Sequence, residues 1–326
     1  MNDRRYRSLF WPILLIGVGV IWLLGNLGII PAANFAVLAS LWPVILIIIG
    51  LDVLFARSSP LIGALIGLLA IGGVIVVLIA GPALGLPNAS VLRHEAIREP
   101  LGEAVRAELT LNLSSQPARI YALNQSNSNL LEGEIDFFGD LRFSSSGSAL
   151  RKIHLERFNA APSVMFSVDP TARWEIGLTP TIPLDLNINS ASGSVELNFS
   201  ALQLSALYLD QGSGSLNLTL PSTLDPYIAT VKGGSGSLRI QLPQQGPLTL
   251  RLDGGSGSIN INSLRQSAIR LEIRDGGSGS VNVPNWMQRI SGQDKEGVWE
   301  SADYQTAANS ILIICDDLGS GSFNLR

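Results

Sequence analysis

Gly212-Ser213-Gly214-Ser215 stands between two runs in which apolar and polar residues alternate. The phrase returns as Gly234-Ser235-Gly236-Ser237, Gly255-Ser256-Gly257-Ser258, Gly277-Ser278-Gly279-Ser280 and Gly319-Ser320-Gly321-Ser322, and a degenerate copy, Ala191-Ser192-Gly193-Ser194, precedes them. The second Gly-Ser pair of each copy starts at 193, 214, 236, 257, 279 and 321, in steps of 21, 22, 21, 22 and 42 residues. A fixed period of this size marks a solenoid. The last step is twice 21, which predicts a coil near residue 300 that has kept its length and lost its phrase.

The flanks say what each coil is made of. Leu184, Leu186 and Ile188 precede the first corner and Val195, Leu197 and Phe199 follow it. Leu207 and Leu209 precede the next, with Leu216, Leu218 and Leu220 after, and the pattern runs on to Ile311, Ile313, Cys315, Phe323 and Leu325. Period-two alternation is the pattern of a strand with one buried face. A single coil cannot hide that face, whereas stacked coils bury it in one continuous core. With about five buried aliphatics per coil at roughly 1.5–3 kcal/mol each, burial offsets the ordering of a coil only when neighbours lie on both sides.

Glycine at the corners supplies positive φ or room for close backbone approach, and serine can bond within its own turn. Stacking aligns Gly193, Gly214, Gly236, Gly257, Gly279 and Gly321, with Ser194, Ser215, Ser237, Ser258, Ser280 and Ser322 beside them. Asn217, Asn260, Asn282 and Asn324 lie two positions past these serines and are placed for an amide ladder. Pro221, Pro243 and Pro284 close their strands, since proline cannot continue a ladder. The fold class is therefore an all-β solenoid over 104–326, with regular repeats from 184.

Upstream, alternation predicts strands at Ala104–Leu113, Ala118–Leu123, Leu130–Phe137, Leu141–Phe143, Lys152–Glu156, Ser163–Val168 and Trp174–Leu178. They read as less regular coils of the same structure. Ser146-Gly147-Ser148, 46 residues before Gly193-Ser194, suggests a repeat that begins early. At the other end, Trp299, Tyr304 and Thr306-Ala307-Ala308 make residues 292–326 an atypical terminal repeat, the form expected of a cap.

Residues 1–87 are different. They are almost continuously apolar and carry net charge +2, against −6 for the remainder. Leu9–Ile30, Phe35–Phe55 and Leu61–Leu86 each reach about 20 residues, enough for a hydrocarbon core of about 30 Å. They predict three transmembrane helices, followed by a polar connector over 88–103. The first two spans repeat each other 31 residues apart: Trp11-Pro12 matches Trp42-Pro43 and Gly19 matches Gly50. Gly63-x-x-x-Gly67 offers close helix contact, within the helix set or between copies of the chain. Asp52 is the one ionisable residue inside a span; at mid-bilayer it would cost about 2.5–3.5 kcal/mol and suggest function, but its place near a helix end favours an interfacial carboxylate. Arg4, Arg5, Arg7 and Arg57 fall on one side and Arg93 and Arg98 on the other. That balance places the N-terminus in the cytoplasm and the β domain outside. One further span would reverse the domain.

The chemistry sought is absent. No Lys follows a Gly-rich corner as a phosphate loop requires, strands rather than a helix follow each corner, and no Asp occupies the calcium position of a nonapeptide repeat. His94 and His154 have no metal-ligand spacing, the corner serines have no His partner, and the single cysteine, Cys315, sits in strand alternation as a buried hydrophobe. Asp253, Asp275, Asp316 and Asp317 lie beside corners, either as solvated turn residues or as weak cation ligands. The β half is too acidic for nucleic acid. No enzyme, cofactor or metal is expected.

The paired Trp-Pro spans resemble the LiaI/LiaF-like transmembrane region of bacterial envelope proteins. Trp174-Glu175-Ile176, Pro183-Leu184-Asp185-Leu186 leading into the corners, and the ending Trp299…Tyr304…Ala307…Ile311 resemble the LiaF-type toastrack domains, also called cell-wall-active antibiotic response or adhesin-type domains. The resemblance implies a β-helix-like stack and a role in envelope-stress two-component signalling, with the lipid bilayer, a membrane histidine kinase or a second copy as partners. It brings no catalytic residues. A structural or adhesive surface module is the alternative.

Overall fold

The computed structural model describes residues 10–27, 46–51, 60–80, 92–113, 115–137, 139–158, 172–264 and 267–326. The chain divides into two compact units, Met1–Arg93 in the first, His94–Phe158 and Thr171–Arg326 in the second. In the first, α1 (Phe10–Asn26) and α2 (Pro60–Ala80) pack together, and residues 46–51 are also helical. Neither named helix carries a charged residue in its first or last turn. Gly17 is buried where a side chain would run into Ile71, which is how a glycine lets two helices approach. The rest of the surface is apolar: Leu15, Trp22 and Leu69 are each more than 60% exposed. Helices apolar all round belong in a large core or a bilayer.

At 1.5 Å per residue α1 is about 26 Å long and α2 about 32 Å. Among the fully described residues no helix is long and apolar enough to cross a membrane. The span count therefore rests on the sequence. Trp42, Pro43 and Asp52 lie outside the described residues, as does Ser163–Val168.

The second unit is two facing sheets. One runs in the spatial order β1 (Arg93–Pro100), β4 (Asn129–Phe137), β7 (Trp174–Leu178), β3 (Ala118–Ala122), β9 (Val195–Asn198), β11 (Leu216–Thr219), β13 (Ser237–Gln241), β15 (Ser258–Asn262), β21 (Phe323–Leu325), β17 (Val281–Asn282). The other runs β18 (Gln288–Gln293), β19 (Glu296–Glu300), β16 (Ile269–Ile273), β20 (Ile311–Asp317), β14 (Leu248–Asp253), β12 (Tyr227–Lys232), β10 (Gln203–Gln211), β8 (Pro183–Ser190), β2 (Arg106–Asn112), β6 (Leu150–Phe158), β5 (Asp140–Ser146). Each regular coil contributes one strand to each sheet, and neighbouring coils pair in parallel. Register stacks like on like. Ile153, Leu109, Leu186, Leu207, Ala229, Leu250, Ile313 and Leu271 form one unbroken inward row. Ile176, Ile120, Leu197, Leu218, Ile240, Ile261 and Leu325 form the row that faces it from the other sheet. All of these residues are at most 2–3% exposed, and they belong to a single core cluster.

Spatial order departs from sequence order at both ends. The coil of β2 and β3 is inserted between that of β6 and β7 and that of β8 and β9. The last coil, β20 and β21, is inserted between β14/β15 and β16/β17. This corrects the expected terminal repeat. The C-terminal segment is an inner coil, and the cap is a hairpin: β19 pairs antiparallel with β16, and β18 antiparallel with β19. The same hairpin explains the 42-residue step, which holds no signature-less coil. At the opposite end β4 lies antiparallel on β7 and β5 antiparallel on β6. A parallel stack would otherwise end in open strand edges that invite pairing with other chains. Gly147, read as an early corner, is instead the turn of the β5–β6 hairpin with φ +85°. The segment read as a connector over 88–103 contains the strand β1.

Candidate functional site

The corners carry the chain from the second sheet to the first, always on one edge of the stack. Their glycines form two ladders, in the spatial order of the coils. A Cβ at Gly214, Gly236, Gly257 or Gly321 would lie well under 3 Å from the carbonyl oxygen of Gly193, Gly214, Gly236 or Gly257, respectively, and one at Gly279 would meet Gly321 in the same way. Close backbone approach is thus the reason for glycine here. Positive φ is confined to Gly277 and Gly319 among the phrase glycines; there Asp275 and Asp317 accept the amide N–H at 2.8 and 2.7 Å. Those aspartates build turns, and Asp316 is engaged by Arg251 and Arg274.

Side chains follow the same stacking. Ser215 Oγ donates to Ser194 Oγ at 3.1 Å. Asn282 donates to Asn324, and Asn324 to Asn260, at 2.7 and 3.2 Å. Asn217 stands in register with Glu196 and Arg239. Inside the edge, Gln211 is 4% exposed and its amide donates to the carbonyls of Gly214 and Ser237, tying two corners together. Lys295, from the cap, donates to the carbonyls of Gly277 and Gly279, ending the ladder with a cation. Neither residue was singled out by the repeat pattern, because each occurs once.

On the opposite edge a cleft of about 430 Å³ is lined by Pro180, Pro183, Leu202, Leu204, Leu224 and Pro226 among others, with Leu224 at its mouth 93% exposed. A second, about 440 Å³, lies beside β17 and includes Ser263, Asn282, Asn285 and Trp286. The first also holds Ser222, Thr223 and Asp225, where Thr223 Oγ1 donates to the Asp225 backbone carbonyl at 2.8 Å. Among the described residues no group of His, Cys, Asp or Glu is set to hold a metal. His94 and His154 stand on different sheets: His94 lies between Glu134 and Asp136, and His154 contacts Glu156. Cys315 is fully buried, and burial, with Asp316 beside it, pushes its thiol pKa far up. A thiol held neutral and covered is a poor nucleophile. Cys315 is therefore expected to resist a disulfide reagent in the native protein and to react fully in denaturant. Fast native reaction would show that the β14–β20–β16 seam opens.

Residues 103–241, which begin beside β2 and end with β13, match the family model described as the N-terminal domain of toast_rack. The stack is similar to a toast rack. Residues 9–54, which hold both Trp-Pro pairs, match the LiaI-LiaF-like transmembrane region. The toast-rack match covers strands of both sheets and the first regular corners; the inserted C-terminal coil lies beyond it. Among solved structures, a protein from Clostridium sporogenes ATCC 15579, provisionally described as a cell adhesion protein, is similar with a TM-score of 0.50 at 16% identity. The similarity covers 72% of this chain and 99% of that one, and at that identity it shows the fold alone. No curated protein matches the sequence.

Proposed function

We propose that this chain is a non-enzymatic bacterial envelope protein that modulates envelope-stress signalling through protein–protein contacts. The observation that carries the reading is the order of the two family matches, a LiaI-LiaF-like transmembrane region followed by a toast-rack domain. The repeated corners fit a structural part in that reading: Ser215 donates to Ser194 of the neighbouring coil and Gln211 to the Gly214 carbonyl. In this reading the chain crosses the membrane three times with the N-terminus in the cytoplasm, the toast rack lies outside the cell, and the helices meet a histidine kinase. Deleting 88–326 is expected to change the response of an envelope-stress reporter to a cell-wall antibiotic. An unchanged response removes the sensory role. Protease shaving of intact cells is expected to degrade the β unit; its protection would overturn the assigned orientation.

A second reading, a structural or adhesive module held by the helices, draws on the description of the solved neighbour. It predicts that the same deletion weakens attachment between cells or to surfaces and leaves the reporter alone.

A further inference from the structure

The two sheets of the stack present different outer faces. Across β11, β13 and β15 the outward residues are Asn217, Thr219, Arg239, Gln241, Asn260 and Asn262, all polar. The other sheet, whose coils repeat just as regularly, carries aliphatics outward at its centre. Ala206 stands in register with Ile228, Ile228 with Thr249, and Thr249 with Leu312. Two residues further along the strands Tyr208 lies beside Thr230, and Ile314 lies between Arg251 and Glu272. Ile228 is 52% exposed, although Tyr227 and Ala229 on either side of it are in the core. Nothing in the coil repeat asks for these aliphatics, since stacking uses only the inward rows.

Charged side chains flank this apolar centre on both sides. Toward β8 is Asp185, paired with Arg106; toward β16 is Arg270, held by Glu272 and Glu300. Nearer the corners Lys232 and Asp253 are exposed side by side. An apolar centre with a charged rim is the anatomy of a protein interface. We propose that this face is the contact between two copies of the chain, packed sheet on sheet about a two-fold axis that runs along the strands between β12 and β14. The inference goes beyond the signalling reading and stands whether or not the chain signals.

Charge complementarity selects a second copy as the occupant. Such an axis sets each strand against the one equally far on its other side: β12 against β14 of the second copy, β10 against β20, and β8 against β16. Lys232 then faces Asp253 of the second copy, and by symmetry Asp253 faces its Lys232. Asp185 comes opposite Arg270, Ala206 opposite Leu312, and Tyr208 opposite Ile314. Opposite charges meet, and apolar groups meet apolar groups, in both directions at once. The one like-charge meeting, Asp210 with Asp316, is relieved because Arg251 and Arg274 hold Asp316. A face built for a different protein has no reason to be complementary to itself.

Thiol cross-linking of the full-length protein in detergent tests this. Cys315 is buried, so an introduced cysteine supplies the reactive thiol. Facing sheets lie about 10 Å apart, which brings the thiols of Thr230→Cys in two copies within reach of a short bismaleimide. T230C is expected to give a covalent dimer, and N217C, on the other sheet, none. Adding I228E to T230C should abolish the product, with an unchanged urea midpoint to show that the stack still folds. Adding K232E or D253K alone should lower it, since like charges then face each other. Mixing those two proteins should restore it, because each mixed pair brings opposite charges together twice. That rescue separates contact between chains from the adjacency of Lys232 and Asp253 within one chain. Equal cross-linking at both positions, a product that survives I228E, or a mixture no better than its parts would overturn the proposal. So would the absence of any T230C dimer, which would leave the face to a different protein.

Discussion

Gly236→Ala is expected to destabilise the β unit by at least about 3 kcal/mol, at or beyond the upper end for overpacking a closed site. The alanine methyl has to share space with the carbonyl oxygen of Gly214 in the next coil, and the atoms nearest to it are all backbone. A flexible side chain could swing away, but a paired strand cannot. The coils on either side are held in register, Leu238 against Leu216 and Ile259, so spreading one corner strains the rows of the core. Gly236 does not have positive φ, so backbone preference adds nothing, and the loss measures close approach alone. A control sits three residues away. A Cβ at Gly233 would meet its nearest neighbours at 3.5–3.7 Å, an ordinary contact. Gly233→Ala is therefore expected to be neutral, or to stabilise by up to about 1 kcal/mol through the unfolded chain. Urea unfolding of the full-length protein, followed by the fluorescence of the buried Trp174 and Trp299, separates the two. Equal losses would mean that the corner dislikes any side chain, and a neutral Gly236→Ala would remove the ladder as the reason for the repeated phrase.

That reason shows where sequence reasoning reached and where it stopped. The period of 21–22 residues and the alternation around it are properties every coil must have, so each appears several times and can be read. Leu207 stacks on Leu186 and Ala229 because the repeat makes them equivalent. The Asn260–Asn324–Asn282 ladder could be foreseen from the offset after each corner, although its order could not. Equivalence is also the limit. Period says that two coils are neighbours in kind; it does not say which are neighbours in space. The inserted positions of β2 and β20 depend on where antiparallel hairpins fold back, and in the β18–β19 hairpin β18 is exposed throughout, with no apolar face to announce it. His94, Gln211 and Lys295 were invisible for a related reason. Each acts once, through partners 42, 3 and 26, or 18 and 16 residues away, and a single occurrence has no pattern.

The insertion of the last coil has its own consequence. Ending the chain after Ser310 is expected to abolish cooperative folding of the β unit. In an ordinary solenoid the last repeat contacts one neighbour, and removing it costs a single interface. Here β20 lies between β14 and β16, and β21 between β15 and β17. Truncation therefore removes two interfaces, takes away the partner of β17, and leaves β16 with the β18–β19 cap cut off from the rest of its sheet. Ile311, Ile313, Leu318, Phe323 and Leu325 are each at most 3% exposed. At roughly 1.5–3 kcal/mol per fully buried side chain their loss amounts to about 8–15 kcal/mol, which equals the whole stability of a typical domain at about 5–15 kcal/mol. Circular dichroism of the truncated chain should show reduced strand content with no sharp denaturant transition, and protease should cut within 94–310. A truncated chain that unfolds as sharply as the full one, at a slightly lower urea midpoint, would place the last coil at the outside of the stack. The same geometry predicts that Gly321→Ala, which drives a methyl against the Gly257 carbonyl from inside the stack, damages the fold as severely as Gly236→Ala, although it lies only five residues from the end of the sequence.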